Sequence, residues 1–553
     1  IPLVARHAQA RNPRYVWRQT TPNTSSMAAP ASRAGAMLSD PTPHAPEGDP
    51  ILMNENLYAL IAARFPQDLD ACAIETHDGR YWTWRDLDRA TGRIANLLAS
   101  LKLPVGSRVA VQVDKSVEAL CLYLATLRAG HVFLPLNSAY QQSEIDYFVE
   151  NAEPAVVVCT PGNRSWIEPI AKARGSRRVF TLADDGRGTL LEAAAPMKDA
   201  FRTVARKATD LAAILYTSGT TGRSKGAMLS HGNLSSNALV LNAYWRWRRG
   251  DVLLHALPIF HVHGLFVASH GALMSGNKMI WLPRFDPKEV VRQMARSTVF
   301  MGVPTMYVRL LDEPSFTAQA AASMRLFISG SAPLLTETFK QFEARTGQRI
   351  LERYGMSETI MLTSNPYDGN RIAGTVGLPL PGVSVRVVDD AGRELAAPEI
   401  GGIQVRGPNV FSGYWRMPEK TREEFTEDGW FRTGDVGRWD ANGYLSIVGR
   451  SKDLIITGGY NVYPKEIESY LDDMDGVLES AVIGVPHRDF GEAVTAVVVR
   501  KPGASLDEVA IIGALKTRIA GFKVPKRVHV VDELPRNAMG KVQKNELRKR
   551  YAD

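Results

Sequence analysis

The stretch Tyr216-Thr-Ser-Gly-Thr-Thr-Gly-Arg-Ser-Lys-Gly226 follows the apolar run Leu211-Ala-Ala-Ile-Leu215 and decides how the rest of the chain is read. Gly219, Gly222 and Gly226 let backbone N–H groups approach an anion with no Cβ in the way, while Thr217, Ser218, Thr220 and Thr221 add hydroxyl donors. Lys225 adds positive charge. These are the parts of a polyphosphate cradle. The spacing is not that of a Walker loop, because Gly219 and Gly222 stand too close together and no Gly-Lys-Ser/Thr ending follows. A solvated Gly/Ser/Thr linker is disfavoured, since linkers seldom follow a buried strand directly.

Outward from this loop, from Met53 to about Tyr444, strand-like runs such as Arg108-Val-Ala-Val-Gln-Val113, Ala155-Val-Val-Val-Cys159, Lys278-Met-Ile-Trp-Leu282 and Arg325-Leu-Phe-Ile-Ser329 alternate with helix-like ones. Crossover connections of that kind imply an α/β body with largely parallel, buried sheets. The runs Ser384-Val-Arg-Val-Val388, Ile403-Gln-Val-Arg406 and Tyr444-Leu-Ser-Ile-Val448 lie between Gly and Asp turns and read as a small β-barrel lobe. After Lys452 the pattern changes to a compact α+β unit: helix Pro464–Leu471, strands Ser480–Gly484 and Thr495–Val499, helix Leu506–Ala520 and strand Arg527–Val531.

Composition sets the outer limits. A chain of 553 residues, 45% hydrophobic, can bury more than one core. No apolar run is long enough to span a membrane, and Cys121-Leu-Tyr-Leu-Ala-Thr-Leu127 suits a core helix instead. The 66 Lys and Arg against 58 Asp and Glu give +8, but the charges are scattered, which favours anionic small substrates over nucleic acid. Cys72, Cys121 and Cys159 are far apart in apolar contexts, so neither a disulfide framework nor a metal site is expected. Residues 1–52 are set aside as a disordered or non-native extension. They carry Arg6, Arg11, Arg14, Arg18 and Arg33 with no acid before Asp40, and equally fit a mitochondrial transit peptide. The compartment read from sequence is therefore cytoplasm for a bacterial protein, or mitochondrial matrix if that stretch is a transit peptide.

Four further motifs follow the loop in order: Leu351-Glu-Arg-Tyr-Gly-Met-Ser-Glu-Thr359, Thr433-Gly-Asp435, Gly449-Arg-Ser-Lys-Asp-Leu-Ile-Ile-Thr-Gly-Gly-Tyr-Asn461 and Pro535-Arg-Asn-Ala-Met-Gly-Lys541. Together, from Met53 to the C-terminus, they resemble the ANL superfamily of adenylate-forming enzymes. That superfamily includes acyl-CoA synthetases, luciferases and peptide-synthetase adenylation domains. The resemblance implies a large adenylating domain over 53–449, a hinge at 450–452 centred on Lys452, and a mobile C-terminal domain over 453–553.

It also implies roles. Thr217, Ser218, Gly219, Thr220, Thr221, Gly222 and Lys225 would hold the ATP phosphates, with Thr221 counted among the catalytic residues. Glu358 would hold Mg²⁺, Tyr354 would stack on the adenine, and Gly355, Ser357 and Ser331 would be among the ATP-binding residues. Asp435 would accept the ribose hydroxyls beside Arg450, and Lys541 would bridge the substrate carboxylate and the α-phosphate. Lys452, Gly458, Gly459 and Tyr460 would face CoA after the small domain swings. His261, Ser329, Gly330 and Met356 would border the acyl group. His261 and His263 are read as sharing one strand face, a spacing that also permits a metal, though no third ligand is evident.

Ile259-Phe-His-Val-His-Gly-Leu-Phe266, Met301-Gly-Val-Pro-Thr-Met-Tyr-Val-Arg-Leu-Leu311, Thr363-Ser-Asn-Pro-Tyr-Asp368 and Gly413-Tyr-Trp-Arg-Met-Pro-Glu-Lys420 look specifically like malonyl-CoA synthetases. The implied reaction takes malonate, ATP and CoA to malonyl-CoA, AMP and pyrophosphate. Arg309 is the expected partner of malonate's distal carboxylate, against a plain reading as a surface charge on an amphipathic helix. The alternatives are a synthetase for methylmalonate, another short, aryl or fatty acid, or a module loading a separate carrier protein. Lys541 is also a candidate target of a lysine acetyltransferase and deacetylase, because acetylation would remove its charge.

Overall fold

A computed structural model describes residues 54–217, 224–457, 460–487, 490–519, 521–537 and 540–552. The readings placed on residues 1–52, on Ser218, Gly219, Thr220, Thr221 and Gly222, on Gly458 and Gly459, and on the side chain of Tyr460 lie outside the described residues.

Val156–Cys159 reads Val-Val-Val-Cys and is buried along its whole length, the mark of a strand covered on both faces. It lies in a six-stranded sheet ordered Arg178–Thr181, Val156–Cys159, Arg108–Gln112, Val132–Pro135, Leu211–Thr217 and Lys225–Ser230. All neighbours are parallel except the last, which folds back antiparallel on Leu211–Thr217. A nine-stranded sheet has a parallel centre: Cys72–Thr76, Lys278–Trp281, Val252–His255, Val299–Gly302, Leu326–Ser329 and Leu351–Tyr354. Tyr81–Thr83 at one edge, and Thr363–Ser364 with Leu378–Pro379 at the other, run antiparallel.

One core joins the two sheets. It takes Val109 and Val158 from the first, Leu253 and Met279 from the second, and Leu120, Tyr123 and Leu124 from helix Val117–Arg128. Every residue of that helix is buried, as expected of a helix apolar on all sides. Ser116 caps it by accepting a hydrogen bond from Ala119 N at 3.1 Å.

The strands expected in the small lobe form at Ser384–Val388, Gly401–Arg406, Phe431–Trp439 and Leu445–Arg450. They make a four-stranded antiparallel sheet in that order, with no pairing of the last strand back to the first among the described residues. The barrel reading is corrected accordingly: three short strands and their turns could be read from alternation, but closure depends on a return pairing that alternation does not specify. Beyond it, Val477–His487, Gly491–Arg500, Arg527–Val531, Ile455–Thr457 and Tyr460–Val462 form a five-stranded sheet. Helix Pro464–Asp472 packs there through Ile467 and Leu471 onto Val482, Val494 and Val498. The helix expected over 506–520 is shorter, Glu508–Lys516, and starts where Asp507 accepts from Ala510 N. No described helix is long and apolar enough to cross a membrane.

Candidate active site

The hairpin Leu211–Thr217/Lys225–Ser230 sets Thr217 opposite Lys225, so Lys225 is fixed by strand register at the mouth of the glycine loop. Its Nζ donates to Tyr414 Oη at 3.2 Å, lies 3.2 Å from Glu424 Oε1, and sits 4.3 Å from the Tyr414 ring centre. Tyr414 Oη in turn donates to Glu358 Oε1 at 3.0 Å. Glu358 stands on the turn after Tyr354-Gly355 and Met356-Ser357, where the chain folds back so tightly that a Cβ on Gly355 would fall 1.8 Å from the Ile360 carbonyl oxygen. Burial raises the pKa of the Glu358 carboxyl.

A second acid lies beyond Tyr354. Asp435 is buried, accepts from the Tyr354 hydroxyl, and pairs with Arg450 Nε at 2.9 Å. Asp435 and Arg450 face each other across paired strands, so backbone register again makes the contact. Lys541 joins this group from the far end of the chain. Its backbone N donates to Asn537 Oδ1 at 3.0 Å. Its ammonium retains solvent access but has lost part of its hydration and faces Arg450, and both lower its pKa, opposed by Asp435, Asp453 and Glu358. The Lys452 ammonium beside it is pushed down to about 8 by burial, Arg450 and Lys541.

Ser329, Gly330 and Met356, expected to border the acyl group, lie at or just after the carboxyl ends of Leu326–Ser329 and Leu351–Tyr354, where ligands bind in parallel sheets. Ser331 has φ 76°, an uncommon conformation for a residue with a side chain. Its Oγ lies 3.3 Å from His263 Nδ1. Beside them lies Arg353, which the sequence reading passed over. It is 2% exposed, and its Nε and Nη2 have no hydrogen-bond partner among the described residues. It presses so closely on Gly330 that a Cβ there would lie 2.5 Å from the guanidinium carbon. Burial pushes Arg353 down to about 9, and together burial and Arg353 hold His263 neutral, well below its ordinary value. Ser329 Oγ and His263 Nε2 are also buried without a partner among the described residues.

Two expectations change here. His261 and His263 do not share a strand face: His263 opens a π-helix, His263–Ser269, and His261 lies in the bend before it. Alternating apolar and histidine residues imitate a strand, but the backbone has already turned at the end of Val252–His255. No group of three metal-ligating side chains occurs among the described residues. Burial pushes His261 to about 4. Arg309 is exposed on helix Pro304–Leu311, its guanidinium 5.2 Å from the Phe285 ring centre, so it occupies the solvent face that its amphipathic helix prescribes.

Residues 60–415 match the model for the AMP-binding enzyme family, and 466–541 match that for the AMP-binding enzyme C-terminal domain. The chain belongs to the AMP-binding enzymes. Within the family, this AMP-binding enzyme is 35% identical to a malonate–CoA ligase of Arabidopsis thaliana over 89% of each chain. It is 32% identical to a long-chain-fatty-acid–CoA ligase of Bacillus subtilis over 90% and 94% of the two chains. ATP-bound MatB from Rhodopseudomonas palustris is 59% identical over 91% of this chain and 99% of its own, with TM-score 0.89. The apo form of MatB gives 0.80.

Proposed function

We propose that the protein is an ATP-dependent malonate–CoA ligase that works through a malonyl-adenylate. A malonate carboxylate oxygen attacks the α-phosphorus of ATP and pyrophosphate leaves. The CoA thiol then attacks the acyl carbon and AMP leaves. The observation that carries the malonate reading is Arg353, a buried guanidinium whose Nε and Nη2 have no partner among the described residues, beside Gly330, Ser331 and His263. A fatty acid there would leave that buried cation without an anion, whereas malonate's distal carboxylate offers the bidentate partner that a guanidinium fits. The specificity role expected of Arg309 is reassigned to Arg353 on this ground.

Lys225 binds the outer phosphates, Asp435 with Arg450 orients the ribose, and Tyr354 borders the adenine. Lys541 places its charge where the α-phosphorus gathers negative oxygen in the transition state. The neutral imidazole of His263 and the Ser331 hydroxyl border the acyl group. One buried carboxylate, Glu358, fits a hard cation that takes most of its oxygens from phosphate and water, and Mg²⁺ bound there would neutralise phosphate charge. The segment from 453 onward then swings about Lys452, withdrawing Lys541 and bringing Gly458, Gly459 and Tyr460 to the CoA path.

The test is ATP–pyrophosphate exchange across malonate, methylmalonate, acetate, butyrate, benzoate and decanoate. Malonate leading the panel is the expected result. Equal or faster exchange with butyrate or decanoate would replace this reading with that of a general acyl-CoA synthetase.

A further inference from the structure

Lys225 has an acidic partner in Glu424. Its Nζ stands 3.2 Å from Glu424 Oε1, and Glu424 closes helix Pro418–Glu424. A triphosphate would bring several negative charges to the same ammonium, so Glu424 and the nucleotide compete for Lys225, and the Glu424 carboxylate also repels phosphate. Lys420 supplies an alternative partner: its Nζ lies 3.3 Å from the same Glu424 Oε1, one helical turn earlier. Lys420 precedes Glu424, the weaker orientation for a helical pair, and it also bonds Glu423 Oε2 at 2.9 Å, so it shares Glu424 with Lys225 without capturing it. Lys225 and Glu424 are 20% and 22% exposed, open enough for partners to exchange, whereas Asp435 in the Arg450 pair is 4% exposed.

We propose that Glu424 is an electrostatic gate on nucleotide binding: it competes with a triphosphate for Lys225 and passes to Lys420 when the triphosphate takes the ammonium. This rests on reading Lys225 as a phosphate ligand. Tyr414 keeps the exchange in place. Its hydroxyl bonds both Lys225 and Glu358, and its ring lies against the ammonium, so Lys225 holds its position relative to Glu358 whichever anion it faces.

The experiment is calorimetric ATP binding to the full chain, without acid or CoA, for wild type, K225M, E424Q, K420M and the double variant E424Q/K420M. E424Q is expected to tighten ATP by about two- to fivefold, the scale of a partly exposed ion pair. K420M should weaken ATP by about twofold, because Lys225 is then the one cation paired with Glu424 among the described residues, and the double variant should match E424Q. The gain in E424Q should shrink at high salt. ATP binding in E424Q that is equal to or weaker than wild type would overturn the gate and make Glu424 a positioning residue, as would tighter binding in K420M. Should E424Q fail to fold, the sign of K420M decides. If K225M binds ATP like wild type, the phosphate reading of Lys225 is wrong. If K225M loses ATP while E424Q does not tighten it, only the gate is wrong.

Discussion

At the nucleotide end, Lys225 and Arg450 each face an acid, Glu424 and Asp435. At the acyl end, Arg353 is buried with Nε and Nη2 unbonded among the described residues. A paired cation costs the fold little and yields to a ligand that brings more charge. An unpaired buried cation is held at a cost that only the right anion offsets, so it selects strongly and tolerates little. Under the proposed function, affinity for ATP is spread over many contacts, while choice of acid rests on Arg353.

The largest expected effect breaks the comparison from outside both ends. Lys541→Ala should reduce adenylate formation on the order of 10³-fold while sparing thioester formation from supplied malonyl-adenylate. Equal loss in both half-reactions would remove the two-arrangement reading. Next, Arg353→Leu should cost about 3 kcal/mol in kcat/KM for malonate, on the order of 100-fold, and raise relative activity on butyrate. A malonate-to-butyrate ratio within about threefold of wild type would show that Arg353 does not set the choice.

Glu358→Gln keeps shape and loses charge, so it should raise the Mg²⁺ concentration needed for half-maximal exchange by about tenfold. An unchanged Mg²⁺ titration would move the metal elsewhere. Lys541 acts as a cation, and its pKa is lowered, so adenylation should be full at low pH and fall as pH rises through that value, ahead of the ordinary lysine range. The CoA half-reaction should lack this limb; the same limb in both would exclude Lys541 as its source. Smallest of all, Arg309→Leu should change malonate kcat/KM by less than about threefold, since it removes an exposed charge. A loss approaching that of Arg353→Leu would reverse the reassignment.

Most of the architecture was legible because buried parallel strands announce themselves as runs such as Val156–Cys159. The pairing of Asp435 with Arg450 was legible through the family resemblance and not through local pattern; the contact itself follows from the strand register. Arg353 was hidden in plain sight, one residue before Tyr354. An arginine between buried neighbours at the carboxyl end of a strand was the available signal, whereas Arg309 lies exposed on a helix with one apolar face. Tyr414 was quoted within a motif, but its bond to Glu358 spans 56 positions and no spacing rule reaches it. Barrel closure failed for the same reason, being a property of pairing at a distance.

The ion pair Arg548–Asp453, at 2.8 Å, fastens the last described helix to the residue just after Lys452. Lys544 is likewise bound to Glu468 on helix Pro464–Asp472. A chain that pivots at Lys452 therefore moves as a crank with its arm welded to the pivot. In the proposed pivot, torsion about one residue's φ and ψ, the softest coordinates a backbone has, would sweep Lys541 through an arc without stretching any contact within the arm. Loosening Arg548 would leave the pivot free and the crank slack: the rotation would still occur, but Lys541 would no longer arrive at a fixed place.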